Sequence, residues 1–254
     1  MIKNKKIVAT LQARMNSSRL PGKALLPLAG EPLLARMVER LRRSKTIDEI
    51  IVATTTNKGD DPIVELCKKI ECRFYRGSEQ DLLLRILEAA RLCNADIIVQ
   101  NMADSPMVDW RIIDSMAHLL TNGNYDYATN EVKNPFSVGF DIRMCPIAIL
   151  KEVEKITLDL DPEYREHGLL YIVTHPEKYR FVNLEAPEHM RWPSLRLTLD
   201  TKEDYDLISK IYDYLYSINN DFSAEDVVGF LRQHPELASI NSDIKQRVPK
   251  YPTN

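Results

Sequence analysis

Four short apolar runs, each followed by a segment of helical period, fill the first half of the chain and constrain its fold more than any other feature. The runs are Ile7–Leu11, Ile50–Thr54, Cys72–Tyr75 and Asp96–Gln100; the helical segments are Leu33–Arg43, Pro62–Lys69, Asp81–Leu92 and Trp110–Leu120. Mainly apolar runs of this length read as strands, the first two of them buried, and Cys72–Tyr75 is a short strand that includes Arg73. Strands that alternate with helices build βαβ units, so the expectation is an α/β protein with a mainly parallel sheet flanked by helices. The first helix sets Leu33, Leu34, Met37, Val38 and Leu41 on one side and should carry a basic outer face.

From Tyr125 the rhythm changes. Strands are expected at Tyr125–Asn130, Gly139–Met144, Tyr179–Leu184 and Leu195–Leu199, with helices at Ile147–Lys155, Pro162–Thr174, Lys202–Leu215 and Ala224–Gln233. With no repeat, low-complexity tract or flexible linker, residues 1–254 read as a single domain whose second half is α+β-like. A chain of 254 residues is long enough to bury a full core.

The charge balance, 34 Lys+Arg against 37 Asp+Glu, argues against a nucleic-acid polymer as partner, because no net cationic excess exists to displace its counter-ions. Any anion site must be local. Cys67, Cys72, Cys93 and Cys145 have neither CxxC nor zinc-ligand spacing and read as core thiols of a reduced protein. The apolar run after Lys6 stops at Gln12 and Arg14, too short for a signal-peptide core or a membrane span, so a cytoplasmic protein without membrane attachment is expected.

Such a local site stands directly after the first strand. Arg14, Arg19 and Lys23 fall within ten positions on a loop that also holds Ser17, Ser18, Pro21 and Gly22. Open α/β sheets bind ligands at the carboxyl ends of their strands. Arginine forks, a lysine point charge, hydroxyls and loop amides at that place suit a polyphosphate. The spaced glycines and Lys-Ser/Thr ending of a Walker-type loop are absent. A solvated basic loop is the plainer alternative.

The segment Gln12-Ala13-Arg14-Met15-Asn16-Ser17-Ser18-Arg19-Leu20-Pro21-Gly22-Lys23 resembles the nucleotide-binding signature of the cytidylyltransferases that activate acidic sugars, in particular the spore coat polysaccharide biosynthesis (SpsF-type) branch, with the 3-deoxy-manno-octulosonate and acylneuraminate enzymes as more distant relatives. The resemblance implies a GT-A-like nucleotide-diphospho-sugar transferase fold with a small inserted α+β subdomain, here about residues 125–190, that binds the acceptor and often dimerises. It also implies CTP as substrate and a homodimer. Leu11, Ala13, Arg14, Ser18, Arg19 and Lys23 carry over as nucleotide-binding positions, with Arg14 and Lys23 catalytic.

Two aspartates follow apolar runs: Asp104 in Ala103-Asp104-Ser105-Pro106, and Asp200 in Leu197-Thr198-Leu199-Asp200-Thr201. Each could cap a turn or helix, Asp200 with Glu203 completing a capping box. Each could equally hold Mg²⁺, a hard ion taken by one or two carboxylates plus phosphate oxygens. The family's D-x-P and L-D-T-x-E-D motifs fall at these positions, which implies that Asp104 and Asp200 are its Mg²⁺ ligands and that Mg²⁺ is the cofactor. Thr54 and Thr55 could read a pyrimidine edge or ribose, or simply end a strand. Ser78 and Arg85 match the family's G-S-x-x-D-x-L-x-R element, although Asp81 could merely cap the helix and Arg85 pair on its surface.

At the acceptor end, Glu166 and His167 resemble the family's R-E-H-V-T segment without its threonine. Asp141 and Arg143 match a G-x-D-x-E element in which arginine replaces glutamate. That replacement favours an anionic acceptor carrying a carboxylate, phosphonate or phosphate, unless Arg143 pairs with an acid such as Asp141 or Glu166. The expected activity is transfer of CMP from CTP to such an acceptor with release of pyrophosphate. A glycosyltransferase on the same fold and a nucleotidyltransferase using another triphosphate are the alternatives.

Overall fold

The computed structural model describes residues 2 and 4–246. In chain order the strands are β1 (Ile7–Gln12), β2 (Pro27–Leu28), β3 (Glu31–Pro32), β4 (Glu49–Thr55), β5 (Arg73–Gly77), β6 (Ile97–Met102), β7 (Tyr127–Thr129), β8 (Arg143–Pro146) and β9 (Phe181–Asn183). The helices are α1 (Leu33–Leu41), α2 (Asp61–Lys69), α3 (Leu82–Leu92), α4 (Trp110–Asn122), α5 (Ile147–Ile156), α6 (Glu163–Glu166), α7 (Leu170–Thr174), α8 (Lys202–Ile218), α9 (Ala224–Gln233) and α10 (Pro235–Ala238).

Seven strands form one sheet in the order β5-β4-β1-β6-β8-β7-β9, and β2 pairs with β3 in a separate small hairpin. Parallel pairing joins β5, β4, β1 and β6, while β8 runs antiparallel to both β6 and β7. The chain leaves β1 toward β4 and β5, then returns to place β6 on the other side of β1. The crevice at such a reversal is where doubly wound sheets bind ligands.

Both sheet faces are covered, which is why the central strands are continuous apolar runs. Ile7, Ala9, Leu11, Val52, Ile97 and Val99 pack toward the layer that includes α1, α4, α8 and α9. Val8, Ile51, Ile98, Cys145 and Tyr127 pack toward α3, α5 and α7. The second face turns polar toward the carboxyl ends of the parallel strands: two positions beyond Val8, Ile98 and Tyr127 stand Thr10, Gln100 and Thr129, and Arg143 lies opposite Gln100. Alternation along a strand thus places a polar patch on the sheet itself, beside the crevice.

Several expectations change in three dimensions. Arg36 and Arg40 are buried, so α1 has no uniformly basic outer face. Arg40 donates to the Val108 and Phe222 carbonyls (2.7 and 3.0 Å), and Arg36 to that of Leu28 (3.0 Å), which satisfies their donors inside the protein. The expected helix Pro162–Thr174 is two short helices separated at Gly168, whose φ of +63° suits glycine. Residues 139–142 form a loop before β8. Leu195–Leu199 is not a strand of the sheet; Arg196 makes an isolated bridge with Val138, itself in a loop outside the named strands. All four cysteines are buried thiols, as expected.

Gly139 fixes where that extended segment lies. Its φ is +110°, and a Cβ there would sit 2.6 Å from the Leu197 carbonyl carbon. Leu197 donates to the Val138 carbonyl at 2.7 Å, so the two backbones press together at this point. We expect Gly139→Ala to lower the unfolding free energy by at least ~1–3 kcal/mol, the range for forcing a side chain into a sparsely allowed conformation, as read from a urea titration.

Candidate active site

The segment after β1 crosses the crevice as a tight loop. Gly22, at φ +74°, donates to the Met15 carbonyl at 2.8 Å and closes it. Its base is pinned by buried Asp60, which accepts from the Met15 amide at 2.7 Å and from the Thr55 hydroxyl. Gly22 then leads into a helical turn over Lys23–Leu25, which aims Lys23 back across the crevice.

There the Lys23 ammonium joins two carboxylates far apart in sequence. Nζ donates to Asp200 Oδ1 and the Leu199 carbonyl, both at 2.9 Å, and lies 3.5 Å from Asp104 Oδ2. Asp104 follows β6, and its carbonyl accepts from the Leu199 amide at 2.7 Å, which ties the two aspartate-bearing segments together. Asp200 Oδ2 receives two more cations, Arg19 Nη2 and Arg196 Nη2, each at 2.8 Å.

Asp204 holds this arrangement from behind. Thr201, not Asp200, caps α8, and Asp204 rather than Glu203 completes the capping box. Fully buried Asp204 accepts from Arg196 Nε (2.9 Å) and Nη2 (3.0 Å), Asn241 Nδ2 (2.8 Å), and the Asp200 and Thr201 amides (2.9 and 3.0 Å). Asp200 is therefore free of capping duty and points into the crevice.

The electrostatics of the two aspartates differ. Burial opposes ionisation of Asp200, but Lys23, Arg19 and Arg196 outweigh it and hold its carboxyl below the ordinary range. Asp104 goes the other way: burial dominates, Lys23 offsets only part, and neighbouring Asp200 raises it further.

Arg19, Lys23, Asp104 and Asp200 line a cavity of about 860 Å³ that also receives Ala13, Arg14, Ser17, Ser18, Arg85, Gln100, Glu131, Asp141, Arg143, Glu163 and His167. Arg14 is exposed and makes no hydrogen bond or ion pair among the described residues. Arg85 is 4% exposed, and its Nε is buried without a partner. Burial, and then the charge of Arg14, press its pKa downward. Both arginines are thus available to an anion. Thr198 Oγ1 and Gln100 Oε1, also on the wall, are buried without partners.

A family model described as Cytidylyltransferase matches residues 8–227. The spore coat polysaccharide biosynthesis protein SpsF of Bacillus subtilis is 36% identical over 239 residues, 92% of this chain and 97% of that protein. The chain belongs to the cytidylyltransferase family. An uncharacterised protein of Methanocaldococcus jannaschii, MJ1063, is 35% identical over 95% of this chain and 97% of its own. A solved cytidylyltransferase from Leptospira borgpetersenii superposes with a TM-score of 0.85 at 34% identity, covering 92% and 97% of the two chains. Cytidylyltransferases are CTP-dependent nucleotidyltransferases, and the sheet described above is the α/β fold of that family.

Within this cytidylyltransferase the positions expected from sequence separate into two groups. Ala13, Arg14, Ser18, Arg19, Lys23, Arg85, Asp104, Asp141, Arg143, His167 and Asp200 meet at the cavity. Leu11, Thr54, Thr55, Ser78 and Glu166 do not line it. Leu11 is core. The Thr55 hydroxyl is held by Asp60, and Thr54 is buried without a partner. The exposed Ser78 contributes its carbonyl, which accepts from Arg85. Asp81 caps α3 through Leu84 N (2.9 Å) and pairs with Arg165.

Arg143 pairs with neither Asp141 nor Glu166. Its Nε and Nη2 each meet Glu131 at 2.7 Å in a two-pronged bridge. Burial, then Glu131, push the Asp141 carboxyl up to about 7. His167 Nε2 lies 3.1 Å from Glu163. Sequence reasoning missed Asp60, Glu131, Arg196 and Asp204. Two of them left a signal: Asp204 ends the L-D-T-x-E-D motif, and Arg196, a charged residue between Leu195 and Leu197 in an apolar run, cannot be buried without a carboxylate partner.

Burial raises the pKa of Asp204, but Arg196, Asn241 and the Asp200 amide prevail, leaving it below the ordinary value. A depressed carboxyl contributes stability above its unfolded pKa, about 3.9, and loses it as pH falls through the folded value. Asp204→Asn should therefore be less stable than the parent at pH 7 by ~3–5 kcal/mol, the cost of breaking a buried pair from one side. The gap should narrow as the medium is acidified below the ordinary carboxylate range, as measured by chemical denaturation across pH.

Proposed function

We propose that this cytidylyltransferase moves CMP from CTP to a hydroxyl of a small anionic acceptor, such as an acidic sugar, with Mg²⁺ bound by Asp104 and Asp200. The observation that supports the reading best is the Lys23 ammonium lodged between those two carboxylates: the pair already accommodates a bridging cation inside a cavity edged by further cations. Two hard carboxylate oxygens at one point form a donor set suited to Mg²⁺. When bound, the ion would neutralise charge on phosphate oxygens and on the attacking oxygen.

The chain's own groups would do the rest. Arg14, Arg19, Lys23 and Arg85 would receive the triphosphate oxygens, with Ser17 and Ser18 beside them. The acceptor hydroxyl oxygen forms a bond to the α-phosphorus as the bond from that phosphorus to the α,β-bridging oxygen breaks; the hydroxyl proton passes to solvent, and the cations hold the negative charge that leaves with pyrophosphate. No protein nucleophile is needed. Positioning and electrostatic stabilisation carry the rate. The cytidylyl group and acceptor must meet near Asp104, with the acceptor extending toward Gln100, Asp141 and Arg143. Arg143 adds little to the anionic reading, because Glu131 engages its Nε–Nη2 edge in a two-pronged pair and offsets its charge.

CTP should raise the melting temperature more than ATP, GTP or UTP, since a ligand that binds only the folded state stabilises it. Equal shifts from all four would remove the cytosine preference. Asp104→Asn and Asp200→Asn should each reduce pyrophosphate release by at least ~100-fold, the scale of losing one preorganised electrostatic contact, while far-ultraviolet circular dichroism stays unchanged. Near-parental rates in both variants would sink the metal assignment.

A further inference from the structure

Asp200 is surrounded by three cations, and they are not equivalent. Arg196 is 6% exposed and is held through Nε and Nη2 by fully buried Asp204, so it cannot leave. Lys23 and Arg19 stand on the crevice loop, with their tips in the cavity and no carboxylate partners among the described residues beyond Asp200 and Asp104. One contact with Asp200 is therefore built in, and two are exchangeable.

From this geometry we propose that Lys23 and Arg19 act as exchangeable counter-ions. In the free protein they occupy the two carboxylates, and they yield them to a divalent cation when a nucleoside triphosphate takes the ammonium and guanidinium in return. This inference rests on the metal and triphosphate reading given above and adds a coupling between the two ligands. Two carboxylates against Lys23 and Arg19 make a neutral set. A divalent cation arriving alone meets two positive groups at contact distance from its ligands. A triphosphate arriving alone and drawing those groups away leaves two bare carboxylates beside its own charge. Either ligand by itself leaves like charges facing one another in a partly desolvated cavity, where Coulomb terms are large. Together they leave every charge opposed, so each should favour the other, and the coupling is reciprocal.

Arg14 gives the contrast. It lines the same cavity but makes no ion pair among the described residues, so it can receive a phosphate without releasing anything.

The experiment is nucleotide-free binding of Mn²⁺, the metal probe, to the full chain, followed by electron paramagnetic resonance. Lys23→Met and Arg19→Gln should each tighten Mn²⁺ binding roughly 10-fold, within the usual range of coupling between sites, while weakening CTP binding measured by calorimetry without metal. Arg14→Gln should weaken CTP binding and leave Mn²⁺ affinity unchanged. A gain of affinity cannot come from a damaged fold, and two separate variants guard against one misfolding. If neither Lys23→Met nor Arg19→Gln tightens Mn²⁺ binding, or if Arg14→Gln tightens it equally, the exchange is wrong and the metal reading stands. If Asp104→Asn and Asp200→Asn leave Mn²⁺ binding untouched in the parent background, the metal reading and this inference fall together.

Discussion

The buried carboxylate of Asp204 is the interaction on which the site depends. Its five hydrogen bonds link the Arg196 guanidinium, Asn241, and the amides of Asp200 and Thr201. A carboxylate taken out of water is costly unless its lone pairs are filled and an opposite charge is near; here both conditions hold. The consequence is positional. Arg196 is held rigid, Thr201 rather than Asp200 caps α8, and Asp200 faces the crevice with Arg196 behind it. Without this anchor the segment from Leu195 to Thr201 would be a loop edge with little sheet pairing to hold it.

The crevice itself follows from topology. Because the chain places β4 and β6 on opposite sides of β1, the loops after β1 and β6 diverge around a gap. Lys23 from one loop and Asp104 from the other then face across it, with Asp200 supplied from the segment before α8. The wall that carries Gln100 and Arg143 is built differently. Gln100 and Arg143 are neighbours on two paired strands, so their backbones are held by the sheet. On the proposed reading, loops that can adjust would meet the phosphates and a platform held by the sheet would meet the acceptor.

Much of the architecture was legible because short apolar runs in a regular alternation with helical periods admit few arrangements. The four parallel strands and their helices were found to within one or two residues. The loop cations and the two aspartates were legible as residue types suited to phosphate and metal, and the signature around Arg14 and Lys23 identified the family. The misreadings share a cause. Leu195–Leu199 has a strand's composition, yet Gly139 lets another loop press against it where a sheet partner would lie. Arg36 and Arg40 look like surface charges by periodicity, but carbonyls at Leu28, Val108 and Phe222, all distant in sequence, satisfy them.

By itself the sequence determined the α/β class, the family and the kinds of groups available for phosphate chemistry, because patterning and short motifs are local properties. Tertiary structure alone decided the pairings: Arg143 with Glu131, Arg196 with Asp204, Thr55 with Asp60, and Lys23 with Asp200 and Asp104 across 177 and 81 positions. Charge is carried by the residue, but its partner is set by whichever groups the fold brings within a few ångströms. At those distances the partner decides whether a side chain holds the structure together or stays free to meet a ligand.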